Sequence, residues 1–229
     1  MARRAAARIG CAALARGDLG VALQLVDRIE NAGERHPLAR LGLGTRLGLG
    51  LCLDAGLGLR GLKFQQITQG FFPNDPEVYP IYEVAQEHGL VVLFHMGFTG
   101  IGAGAPGGLG RRLKYGQPMH VDDVAADFPE LTIICAHPGW PWSDEVLAIA
   151  QHKANVFVDM SGWAPKYFPP NFVQYARTLL KHKMLFGTDW PMLTVERWLE
   201  EFVEYDFPDD VVKKIMLDNP MKVLKLRQS

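Results

Sequence analysis

The sequence predicts an α/β fold of parallel strand–helix units, and three observations carry that prediction. Short apolar runs, rich in β-branched residues, centre near residues 62, 93, 133, 157 and 185. They are near-continuous rather than alternating, as expected of strands buried on both faces. Each interval between them is long enough for a crossover helix, which parallel neighbours require. A closed eight-stranded barrel needs about 250 residues, and only five units are legible, all beyond residue 58. The expectation is a partial (β/α)8 TIM barrel of about five carboxyl-terminal βα units over residues 59–229, preceded by an irregular segment over residues 1–58.

Taken in order, the amino-terminal segment offers little to build with. Residues 1–18 are rich in Ala and Arg with no acid before Asp18, a composition common to organelle-targeting peptides and to poorly ordered tails. Leu23, Val26 and Ile29 have helical spacing. Residues 41–58 run largely in Leu and Gly, as in Leu47-Gly48-Leu49-Gly50-Leu51. Glycine weakens a helix or strand by roughly 0.5–1 kcal/mol per residue, so no element is assigned there.

From Leu59 the pattern becomes regular. Gly61 to Phe64 reads as a strand. Asp75-Pro76-Glu77 has the N-cap acid and early proline of a helix start, and Gly89 after His88 its stop. Val91 to Phe94 is the next strand, followed by a glycine-rich loop over 97–110 and a helix around Val121 to Phe128. Thr132 to Cys135 is a strand, with a helix capped by Ser143 running to about His152. Val156 to Val158 and Met184 to Phe186 are strands, separated by a helix from Asn171 to about Lys181. Helices around Val195 to Tyr205 and Asp209 to Asp218 complete the chain.

Composition excludes several classes of function. Net charge is −1, with 48% hydrophobic and 21% charged residues, so neither a nucleic-acid surface nor a polybasic membrane anchor is expected. No apolar run approaches the roughly 18 residues of a membrane span. Cys11, Cys52 and Cys135 are an odd number without a Cys-x-x-Cys pair, which fits a reducing compartment. The expected location is the cytoplasm, with an organelle as the alternative if the Arg/Ala-rich start is a targeting peptide.

Chemistry is expected at the strand ends. His95 ends the run Val91 to Phe94, His137 the run Thr132 to Cys135, and Asp189 follows Met184-Leu185-Phe186 through Gly187-Thr188. The carboxyl ends of barrel strands are where such enzymes place catalytic groups. Imidazole and carboxylate are ligands for divalent metals, which acidify bound water and polarise carbonyl groups. Lys63, at the end of the first clear strand, faces either a substrate carboxylate or a nearby acid. Arg111, Arg112 and Lys114 follow the glycine-rich loop as anion-binding candidates or solvated surface, and the loop itself is a candidate lid. Trp140, Trp142 and Trp163 sit beside strand ends as candidate walls of an aromatic pocket or as packing. Cys135 reads as a buried strand residue. Ser161 lacks a Gly-x-Ser-x-Gly frame and is not a nucleophile candidate.

These pieces also carry a resemblance. Gly61-Leu62-Lys63-Phe64, Leu93-Phe94-His95, Ala136-His137-Pro138-Gly139, Val158-Asp159-Met160-Ser161-Gly162 and Phe186-Gly187-Thr188-Asp189-Trp190-Pro191 resemble, in order and spacing, the amidohydrolase-related proteins of the aminocarboxymuconate-semialdehyde decarboxylase and γ-resorcylate decarboxylase type. The resemblance spans about Leu57 to Leu226. It implies a divalent metal, zinc first and manganese second, and no organic cofactor. It implies His95 and Asp189 as ligands, and His137 as acid–base group or further ligand. Read from their positions alone, Lys63, Arg112, Trp140 and Trp163 are the candidate substrate contacts. One departure stands out: the family's first strand ends in His-x-His, and no His-x-His occurs here.

The expected activity is metal-dependent hydrolysis of a small cyclic or carboxylated substrate. Non-oxidative decarboxylation of an aromatic or unsaturated acid is the alternative, with Asp189 and His137 as catalytic groups in either case. A third expectation is an inactive half-barrel, whose open sheet edges would recruit a second copy as a homodimer.

Overall fold

The computed structural model describes residues 60–226. Expectations for residues 1–58, including the helical spacing of Leu23 to Ile29 and the Leu/Gly run, lie outside the described residues. The five strands are all present: β1 (Gly61–Phe64), β2 (Val91–His95), β3 (Ile133–Ala136), β4 (Val156–Asp159) and β5 (Met184–Leu185). They form one parallel sheet in the order β1-β2-β3-β4-β5, the arc of a partial TIM barrel.

The crossovers contain α1 (Gln66–Gln69), α2 (Tyr79–Glu87), α3 (Met119–Asp127), α4 (Ser143–His152) and α5 (Pro170–Arg177). Beyond β5 come α6 (Val195–Phe202), α7 (Asp209–Lys213) and α8 (Asn219–Val223). Two expected caps work differently. Asp75 Oδ2 accepts from the backbone N–H of Phe72 upstream at 2.7 Å, and a 3₁₀ turn, Pro76–Val78, precedes α2. Ser143 is the first helical residue of α4 and makes no side-chain cap. A side-chain cap does form at α6, where Thr194 Oγ1 accepts from Arg197 N. The last expected helix, Asp209 to Asp218, is two pieces, α7 and a π turn over Lys214–Asp218, and α8 continues beyond it.

Alternation along the strands divides the core in two. Val92, Phe94, Ile133, Cys135, Val156, Val158 and Met184 face the helices and join the main core. Val91, Ile134, Phe157 and Leu185 face the other way and pack with Val223 in a smaller cluster, with Leu93 and Leu224 against it. Register then places functional side chains on this second face. Lys63 pairs with Leu93 and Leu93 with Ile134. His95 pairs with Ala136, and Asp159 with Leu185. The smaller apolar cluster is thus the floor of a concave surface whose polar end is the carboxyl end of the sheet.

The opposite end of the sheet is tied by carbonyl-binding side chains. Asn155 Nδ2 donates to the carbonyls of Ala125, Phe128 and Leu131. Lys183 Nζ donates to those of Lys153, Ala154 and Val156. Among the described residues, no helix is long and apolar enough to cross a membrane.

Candidate active site

The loop after β3 presents His137. Its backbone is left-handed, at φ 75°, a conformation uncommon for a residue with a Cβ. The neighbouring loop holds it there. Asp159 Oδ1, at the end of β4, accepts the N–H of His137 at 3.2 Å and that of Ser161 at 2.9 Å. The imidazole lies over Gly162, where a Cβ would collide with His137 Nδ1. Glycine there gives the ring its seat.

His95 supplies the second imidazole. Its Nδ1 lies 3.0 Å from His137 Nε2, and its Nε2 lies 3.0 Å from the Phe98 carbonyl oxygen. The rings meet edge to face, 4.7 Å between centroids and at 70°. Burial holds the His95 pKa well below the usual histidine value, with smaller contributions in the same direction from His137 and Lys63 outweighing the Phe98 hydrogen bond. His95 is therefore neutral at neutral pH. Below it, Gln66 Nε2 donates to the His95 carbonyl.

Asp189 also has a left-handed backbone, at φ 60°, and its Oδ1 lies 3.7 Å from Lys63 Nζ. These two residues belong to opposite edges of the sheet. The ion pair spans the concavity beside the histidines. Asp189 is thus the nearby acid that one of the two readings of Lys63 expects.

Trp140 and Trp163 lie together, joined by Phe98. Phe98, Trp140 and Trp163 meet pairwise with centroids 5.9, 6.4 and 6.0 Å apart, and Trp140 is 50% exposed. Arg112 is exposed. Its neighbour Arg111 reaches inward instead, donating from Nη1 to the Thr68 carbonyl at 2.9 Å. That bond anchors the end of the glycine-rich loop to α1.

The histidine pair bears on metal binding. Nitrogens of two adjacent ligands on an ion about 2.1 Å away lie about 3.0–3.3 Å apart, so the pair has that spacing as well as hydrogen-bond spacing. Asp189 is turned to Lys63, and among the described residues no three His, Cys, Asp or Glu side chains are grouped to hold an ion. Among the described residues, His95, His137 and Asp189, the ligand set expected from the sequence, are not grouped around one point. The histidine pair alone supplies two donors, and a divalent ion would need further donors beside them.

A family model described as amidohydrolase matches residues 2–226. The chain belongs to the amidohydrolase family. Among solved structures, it is similar to an uncharacterised TIM-barrel protein of Bordetella bronchiseptica, with 27% identity and a TM-score of 0.65. That match covers 77% of this chain and 60% of the other, so the chain spans less than two thirds of that relative's length. A 5-carboxyvanillate decarboxylase of Novosphingobium aromaticivorans, with manganese and a nitrobenzoic acid bound, shares the fold at 17% identity and a TM-score of 0.58, covering 78% of this chain and 61% of that one. A probable 2-pyrone-4,6-dicarboxylic acid hydrolase of Acinetobacter baumannii shares it at 14% identity and a TM-score of 0.55, covering 81% and 71%. No curated protein matches this chain.

Sequence reasoning located His95, His137, Asp189 and Lys63 at strand ends. It missed the work of Asp159, Ser161 and Gly162. Ser161 Oγ lies 2.9 Å from His137 Nδ1. The available signal was that Asp159, Ser161 and Gly162 follow a strand adjacent to the one ending in His137.

Proposed function

We propose that this chain transfers a proton at His137 during the breakdown of a small cyclic or carboxylated molecule, as a hydrolase or, alternatively, as a carboxy-lyase. The supporting observation is the placement of His137. It stands at a strand end, held by Asp159, hydrogen-bonded on both ring nitrogens, and close to the residues that carry the aromatic wall. Family membership and the fold shared with a decarboxylase and a pyrone hydrolase favour these two reaction classes.

Under the hydrolytic reading, Asp189 accepts a proton from the attacking water and His137 protonates the leaving atom. Under the decarboxylating reading, His137 delivers a proton to the carbon that loses carbon dioxide. Lys63 places a positive charge beside Asp189 in both cases, where a substrate carboxylate would compete for it. Phe98, Trp140 and Trp163 offer π faces for a flat ring. Zinc or manganese would need donors beyond the residues grouped here, and neither reading routes a step through the ion.

Turnover of a panel of hydroxybenzoates, unsaturated carboxylic acids and pyrone carboxylates, with and without added manganese or zinc, tests the proposal. Release of carbon dioxide identifies the carboxy-lyase and ring opening the hydrolase. Failure of every panel member under all metal conditions contradicts both readings.

A further inference from the structure

The hydrogen bonds through His95 and His137 have a direction that the chemistry of their end point sets. The Phe98 carbonyl can only accept, so His95 Nε2, 3.0 Å away, carries a hydrogen and donates it. A neutral imidazole carries one hydrogen, so His95 Nδ1 presents its lone pair to His137 Nε2 at 3.0 Å. His137 Nε2 is then the donor in that contact. In neutral His137, Nδ1 is left as an acceptor, and the Ser161 hydroxyl faces it at 2.9 Å.

We infer that Ser161 is a positioning residue for His137: its hydroxyl donates to Nδ1 and holds the ring as the Nε2–H form, with that proton directed at His95 Nδ1. Three neighbouring features converge on this ring. Asp159 fixes both loops by accepting the N–H groups of His137 and Ser161. Gly162 leaves room for the imidazole. Ser161 is itself buried, 6% exposed, so water does not readily replace its hydroxyl.

A hydroxyl suits the position because it donates and accepts. The Ser161 oxygen can donate to an unprotonated Nδ1 or accept from an Nδ1–H without moving. Alanine there could serve neither form. The second ring nitrogen's partner decides which nitrogen reacts. This assignment rests on the reading of His137 as the proton-transfer group.

The test uses the full chain labelled with ¹⁵N-histidine and held in chelator. The expected spectrum shows His137 protonated at Nε2, with Nδ1 shifted as a hydrogen-bond acceptor. Ser161→Ala moves the Nδ1 resonance to its unbonded position, and Ser161→Thr, which keeps the hydroxyl, restores it. On a substrate that is turned over, Ser161→Ala lowers kcat by about 10–100-fold, the usual effect of such partners, with KM little changed. An Nδ1–H form in the parent chain, or an Nδ1 resonance unmoved by Ser161→Ala, overturns the inference. His137→Gln tests the functional reading separately. If that variant is inactive while the spectra disagree, only the role of Ser161 falls.

Discussion

Lys63 Nζ and Asp189 Oδ1 lie 3.7 Å apart, although one residue is on the first strand of the sheet and the other follows the fifth. A flat parallel sheet would separate them by four strand spacings of about 4.8 Å each. The sheet is therefore curled, and its two edge strands exchange charge across the concave face. The Lys63 side chain is 9% exposed and that of Asp189 26%.

Removing one partner should leave the other charge poorly solvated. Lys63→Met is expected to destabilise the chain by about 1–3 kcal/mol, the cost of leaving a largely buried polar group unpaired. Urea unfolding measures it. Adding Asp189→Asn should recover part of the loss, so the two effects do not sum. Strictly additive effects would show that the pair does not couple.

Asp159 supports two loops with one oxygen. Asp159→Ala is expected to cost about 2–4 kcal/mol, because two backbone donors lose a charged acceptor and His137 loses the restraint on its left-handed backbone. Thermal unfolding and the ¹⁵N linewidth of His137 report the two consequences. A variant with parental stability and an unbroadened His137 signal would contradict this role.

Stability should depend on pH through His95. Its pKa in the fold is well below the ordinary histidine value, first because of burial, whereas in the unfolded chain it lies near 6.5. Below that pH the unfolded state binds the extra proton. The contribution is therefore complete above about pH 6.5 and is lost as pH falls towards the folded-state value. In chelator, the urea midpoint of the parent chain should drop between about pH 7.5 and 5.5 by more than that of His95→Phe. Equal drops would remove His95 as the cause.

The fold was legible because parallel strands buried on both faces write themselves as apolar runs. Val91 to Phe94 and Thr132 to Cys135 were read from that feature, and both are strands. The strand-end rule then found His95, His137 and Asp189. Their mutual relations were not legible, since they depend on distance through space. The pairing of Lys63 with Asp189 requires the curl of the sheet. The service of Ser161 to His137 requires β3 and β4 to be neighbours in register. Local helix signals were also weaker than they looked. Asp75 has the right residue type for a cap, but its carboxylate is drawn upstream to Phe72. The strand-end placement that marks Asp189 as a candidate metal ligand does not reveal that it lies beside Lys63.

The central claim is that His137 moves the proton. The most direct measurement is kcat/KM for the parent chain and His137→Gln on a panel substrate that the parent turns over, with the unfolding temperature measured on both. The account predicts a loss of about 100-fold or more at nearly unchanged unfolding temperature, the usual contribution of a positioned acid–base group. A folded His137→Gln chain within about threefold of the parent, far below that contribution, would contradict it.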